Sequence, residues 1–287
     1  LAGGSMYFLE HGLRAKRLAW LFALFGAITA LVNGNMVQAN SAALVLKAEL
    51  NIPLVVSGIF LAFLTYGVII GGIKRVGHVA SFLVPVMCGT YLLGGMVLIL
   101  IHITEVPAAF AMIFKSAFSG QAAMSRDPAR QGTIAMLGVF VDTLLVNTIT
   151  TLSIVLTGAW KTGLTSTALT AEGFSTVLGP LGGWIVAFGS ISFAYSTLLT
   201  WSYYGLMCTD YLFGTRASLP YRLVWCTLII VGALFSNDVA GIKFIWNLAD
   251  VMNGAMAIPN LVGLLGLSLL VFNGTSAYYA PENMAKS

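Results

Sequence analysis

The chain has 287 residues, 58% of them hydrophobic and only 8% charged, whereas a water-soluble surface needs roughly a quarter of charged residues. Its mean hydropathy of +0.91 and length leave room for about seven to nine crossings of some 20 residues each, so it reads as an all-α, polytopic membrane protein set in a lipid bilayer. The formal charge of +4 sits in connections between apolar runs and therefore indicates no nucleic-acid partner.

Arg14, Lys16 and Arg17 precede the first apolar window, residues 18–46. Such a start imitates a secretory signal, but the multispanning pattern that follows makes it a first span. The window is interrupted by the octet GNMVQANS at 34–41. Carboxamides at that depth are costly unless partnered. The octet should face a cavity or a neighbouring helix, and it is the first candidate binding site. Asn35, Gln38 and Ser41 recur at helical spacing and form one polar stripe.

Further spans are expected at 54–73 and 80–102. Residues 106–120 are apolar but short and carry Lys115, which suits an interfacial helix. A span at 131–157 holds Asp142, with Asn147 and several threonines after it; a mid-membrane Asp needs a partner or water. Residues 158–181, rich in Thr, Ser and Gly, read as the longest polar connection. In the span 182–213, Ser192, Ser196 and Thr200 repeat every four residues beside Thr197. After a span at 219–236, the run 241–273 is too long for one simple crossing. It divides into an amphipathic helix, 241–257, and a crossing, 258–273, around Pro259. Trp246, Asn247, Asp250, Asn253 and Gly254 line one side of the first piece. Residues 274–287 are a tail, so 1–273 form a single transmembrane helical domain.

The basic residues test this topology. Alternating sides across the seven spans puts seven Lys and Arg on each side, which gives no orientation under the positive-inside rule. One additional crossing between Lys115 and Arg126 makes the split ten to four. Ten residues are too few to make that crossing. Either 106–123 itself crosses, or a span has been lost there.

Cys88, Cys208 and Cys226 show no metal-type spacing, and His11, His78 and His102 fall near segment ends. No HExxH, GxSxG or phosphate-loop motif occurs. Asp142 and Asp250 lack the Tyr-Asp and Gly-x-Gly-Asp settings of an intramembrane aspartyl protease. The chain is therefore not expected to be an enzyme and calls for no cofactor. Hydroxyl and amide oxygens suit a hard monovalent cation such as sodium, and an amide can donate to a carboxylate without carrying charge.

Six blocks resemble the alanine/glycine:cation symporter family, in family order: GSMYFLEHGL at 4–13, GNMVQANS at 34–41, FVDT at 140–143, WSYYG at 201–205, WNLADVMNG at 246–254 and AIPN at 257–260. The resemblance implies an inverted-repeat bundle of the leucine-transporter type with alternating access about a midplane site. It implies sodium- or proton-coupled symport of a small neutral amino acid, such as alanine or glycine, at the cell membrane. Gln38, with Asn35 beside it, resembles the family's substrate-contacting position. Trp246 resembles the aromatic that closes the pocket, and Ser196 and Thr197 the hydroxyl pair of the sodium site. Asp142 matches an acidic family position.

The chain departs from the family pattern in three places. Family members carry earlier helices, one broken at a Gly-Thr-Gly-Asn-type motif, and residues 1–10 open without an initiator methionine. A second broken helix with a Phe-Ser-Asn-Glu-Ala-Gly-type run should separate QAA at 121–123 from DPARQG at 127–132, which here nearly touch. Leu206 and Met207 stand where the family has Glu-Lys. The resemblance thus implies an incomplete bundle with a span lost where the charges ask for one. The alternative is a truncated membrane protein with at most a structural or subunit-association role.

Overall fold

A computed structural model of the chain describes residues 3–101, 146–164, 166–235 and 239–278. The expected interfacial helix 106–120, Lys115, Asp142 and the end of the tail lie outside the described residues. So does the first part of the 131–157 window. Among the described residues there is no strand, and five helical stretches are long and apolar enough to cross a membrane. The described chain groups into two units, residues 1–84 with 190–270, and residues 85–189 with 271–287.

The first unit begins with a short helical element whose Met6 and Leu9 are buried. The Ser5 hydroxyl donates to Asn260 Oδ1 at 2.7 Å, and Tyr211 Oη donates to Glu10. Helix α1 (Lys16–Leu31) then passes through a π-helical turn (Val32–Val37) into α2 (Gln38–Leu50). The polar octet does not break the helix. It is taken up as a wider turn, and the stretch Lys16–Leu50 runs for 35 residues, about 50 Å at 1.5 Å per residue. Asn51 ends it in the left-handed conformation, φ 53°, with its N–H bonded to the Lys47 carbonyl. Pro53 follows and starts the next helix.

Helix α3 (Leu54–Ile69) packs closely against the later helix α8 (Ser218–Leu234). A Cβ at Gly58 would stand 3.2 Å from the Ile230 Cα, so the missing side chain sets the helix separation. In lipid, where apolar surface gains little by leaving the solvent, small residues at a crossing supply the van der Waals contact. Leu61, Ile69, Leu198, Leu199, Trp225 and Ile229 form the centre of this core. Helix α9 (Val239–Gly266) lies along α1, where Gly26 meets Cys208 and Met256.

The division expected at residue 258 is not where this run divides. Helix α9 continues through a buried Pro259 to Gly266, and α10 (Ser268–Tyr278) follows. A proline costs one i→i−4 bond but is tolerated inside membrane helices, whose neighbours and local adjustments satisfy the freed carbonyl.

The second unit is built from the later part of α4 (Gly72–Ile101), α5 (Asn147–Leu156), α6 (Ser166–Leu178) and the start of α7 (Pro180–Phe213). The stretch 158–181, expected as a polar connection, is mostly helical. Its Phe174 is wholly buried against Tyr91, ring centroids 5.2 Å apart, and Thr176 returns its hydroxyl to the Glu172 carbonyl. One apolar anchor with self-satisfied hydroxyls is enough to fold a polar segment onto a core. The Thr150 hydroxyl donates to Val146 O at 2.8 Å, so in the 2.6 Å contact with Tyr91 the phenol is the donor. Tyr91→Phe should therefore cost about 1 kcal/mol, read as a lower unfolding midpoint in mixed micelles, with Thr150→Val adding little on top.

Candidate substrate and ion site

The π turn in the middle of a spanning helix is the most distinctive local geometry in the first unit. A π turn shifts the hydrogen-bond ladder by one residue and frees carbonyls from their usual N–H donors, and such turns recur at functional sites. This one forms because its neighbours approach unusually closely. A Cβ at Gly34 would collide with the Trp201 side chain of α7, and a Cβ at Gly232 of α8 would stand 2.7 Å from Met36 O. On the α9 side, Ile245 and Ala249 close over Val32 and Val37.

The asparagines of the octet hold it to α8. Asn35 is fully buried and its Nδ2 donates to Trp225 O at 2.7 Å; Asn40 Nδ2 donates to Gly232 O at 3.4 Å. Asn35 thus has its donor committed to a helix backbone, and its Oδ1 is buried without a hydrogen bond. Gln38 differs. It is half-buried, and its Nε2 reaches only Asn33 O, at 3.3 Å. A long intra-segment bond is easily exchanged for a ligand, so Gln38 is the carboxamide of the octet most available to one.

On α7, Ser192, Ser196 and Ser202 are buried, and Thr197 is half-buried. Ser196 Oγ donates to Phe193 O at 2.9 Å, while Thr200 Oγ1 donates to Ser196 O at 3.0 Å and Thr197 O at 3.3 Å. Back-bonding uses each hydroxyl's one proton, and a neutral hydroxyl oxygen is a ligand type that a hard cation accepts. Among the described residues no three His, Cys, Asp or Glu side chains come together to hold a metal.

Trp246 does not join the octet's packing. It is 42% exposed, on the face of α9 away from Ile245 and Ala249, and it makes no hydrogen bond or ring contact with the described residues. Asn247, Asp250, Asn253 and Gly254 share that exposed face. The structure therefore brings Asn35 and Gln38 onto one turn beside α7, and leaves Trp246 on an open polar face of a membrane helix. Sequence reasoning passed over Trp225 and Gly232, which receive the two asparagines. The small-residue run Val231, Gly232, Ala233 was the available signal for a close crossing.

The chain is matched by the model of the sodium:alanine symporter family over residues 1–126 and again over 119–287. It is 38% identical to the sodium/alanine symporter AgcS of Methanococcus maripaludis, over 97% of this chain and 69% of that protein. It is 29% identical to the amino-acid carrier protein AlsT of Bacillus subtilis, over 94% of this chain and 64% of that protein. A probable sodium/glutamine symporter of the same bacterium, GlnT, is 28% identical over 99% of this chain and 66% of its own length. The alignment with the Methanococcus protein runs over 320 positions, more than the 287 residues of this chain, so that relative carries residues inside the matched region that have no counterpart here.

Proposed function

Because the chain belongs to the sodium:alanine symporter family, a family of multi-pass membrane transporters rather than enzymes, we propose that it forms part of a sodium-coupled carrier for small neutral amino acids, alanine or glycine. The observation that carries this reading is the π turn at Val32–Val37 inside a spanning helix, which leaves Gln38 half-buried with one long, exchangeable bond. The Gln38 amide donates to the substrate carboxylate, and a neutral donor there lets the zwitterion enter lipid depth without adding a buried charge. Asn35 keeps the turn in place and offers its Oδ1. Trp246 closes the substrate from the α9 side, and the open polar face it stands on fits a helix facing the transport path. Ser196 and Thr197 supply neutral oxygens to the coupling ion. Such oxygens bind sodium without taking up a proton, which favours sodium over a proton as the coupling ion. The inverted-repeat bundle with alternating access belongs to the same proposal.

The chain by itself supplies only part of that site. Three observations support this second element: the basic residues ask for one more crossing between Lys115 and Arg126, the family match restarts at 119–126, and the relative's alignment is longer than this chain. The restart of the family match falls where the basic residues ask for the extra crossing. A chain without that stretch would act at most through association with other subunits.

Uptake of labelled alanine and glycine into proteoliposomes under an imposed sodium gradient separates these statements. The chain alone should give none, and the chain carrying both the Methanococcus relative's intervening segment and the part of that relative outside the match should give gradient-dependent uptake. Uptake by the chain alone would remove the incompleteness; silence from both would remove symport. In the restored protein, Gln38→Ala should weaken alanine binding by about 1–3 kcal/mol, the cost of an unsatisfied buried partner, measured by equilibrium binding. Unchanged affinity would take Gln38 out of the site.

A further inference from the structure

A pocket of about 250 Å³ opens at the end of the first unit where α7 finishes and α4 and α8 begin. Its lining combines apolar side chains, Ile69, Ile73, Val76 and Leu206, with Asp210, Tyr221 and Arg222. Asp210 is half-buried and accepts a 2.8 Å hydrogen bond from Ser218 Oγ. Arg222 is also half-buried, yet among the described residues it makes no hydrogen bond or ion pair, with Asp210 or with any other group. Two opposite charges thus line one small pocket with their charged atoms more than 4 Å apart. The Arg222 guanidinium therefore has its N–H donors open to a ligand that bridges the gap to Asp210. The Tyr221 hydroxyl beside them is buried and also without a partner.

The geometry points to a zwitterion carrying a primary ammonium and an oxyanion, and we identify it as the phosphoethanolamine headgroup of a membrane lipid. Its phosphate would take the Arg222 fork, which matches two oxyanion oxygens at once, and its ammonium the free oxygen of Asp210. The volume is below the usual range of roughly 300–1,000 Å³ for pockets holding drug-sized ligands, which suits a headgroup rather than a larger solute. The apolar lining and the exposed Ile73 and Leu219 beside it give an acyl chain a path that a free amino acid could not use. Lys74, Arg75 and Arg216 are exposed at the same end, which makes it the cytoplasmic face by the positive-inside rule. The carboxylate is what sets the headgroup apart, because an anionic lipid without an ammonium would face Asp210 unpaired.

The test uses the purified chain in detergent and short-chain lipids added below their micellar range, with the melting temperature as readout. Phosphatidylethanolamine should raise it saturably, and phosphatidylcholine and phosphatidylglycerol should each need at least tenfold more. Asp210→Asn should bring the three lipids together, and Arg222→Gln should weaken all three about tenfold, with helix content checked by circular dichroism. Equal protection by the three lipids on the unaltered protein would overturn the assignment, whether or not either variant folds. So would competition by millimolar alanine, which would give the pocket to the free amino acid.

Discussion

Gly232→Leu should separate the π turn from α8 and leave the chain unable to hold its octet in place. A Cβ at this position would stand 2.7 Å from Met36 O and 2.8 Å from Met36 Cα. Both are backbone atoms, so no rotamer change relieves the overlap and the helices must move apart. Even Gly232→Ala should cost about 1–3 kcal/mol, the usual range for overpacking, and leucine more. Separation also withdraws Gly232 O from Asn40 and strains the 2.7 Å bond from Asn35 to Trp225 O, so the losses compound. Gly77→Ala, on α4, is the matched control: nothing lies within 4 Å of its would-be Cβ, and alanine is the better helix former. Unfolding midpoints in mixed micelles compare the two directly. If Gly232→Ala melts with Gly77→Ala, the close crossing is not what seats the turn.

The same contact explains what could and could not be read from the residues in order. Polar letters inside an apolar run placed the octet, and the need to satisfy carboxamides in lipid said that it must face a neighbour. Which carboxamide faces which neighbour was not legible. A π turn is selected by the partner helix, here through Gly34 against Trp201 and Gly232 against Met36, and periodicity carries no trace of a partner 190 residues away. Asn35 and Gln38 look equivalent as letters on one stripe. In the fold one is a fully buried clamp and the other a half-buried amide with a long bond. The break expected at Pro259 shows the reverse error: a local rule about proline yields to a membrane setting that lets α9 run on to Gly266. Segment 158–181 failed for a similar reason, since one residue, Phe174, carries the packing that its many Thr and Ser residues concealed.

Trp225 connects the core to the turn, and its two substitutions should diverge sharply. It is wholly buried among Leu198, Leu199 and Ile229, so Trp225→Ala leaves a cavity in a core that the α3–α8 crossing cannot close, at a cost of about 3–5 kcal/mol. Its indole Nε1–H, however, has no acceptor among the described residues. Trp225→Phe removes that unsatisfied donor along with part of the ring, and the two effects oppose each other. Phenylalanine should therefore recover most of the stability that alanine loses, and it should do so without disturbing Asn35, whose acceptor is the Trp225 backbone carbonyl and survives both changes. Paired with Asn35→Ala in a double-mutant cycle, the Phe variant should be additive within about 0.5 kcal/mol. A large coupling would mean that the turn is held by the indole itself. Additivity would place the hold in one backbone hydrogen bond, leaving Gln38, three residues on, to exchange its long bond for a ligand.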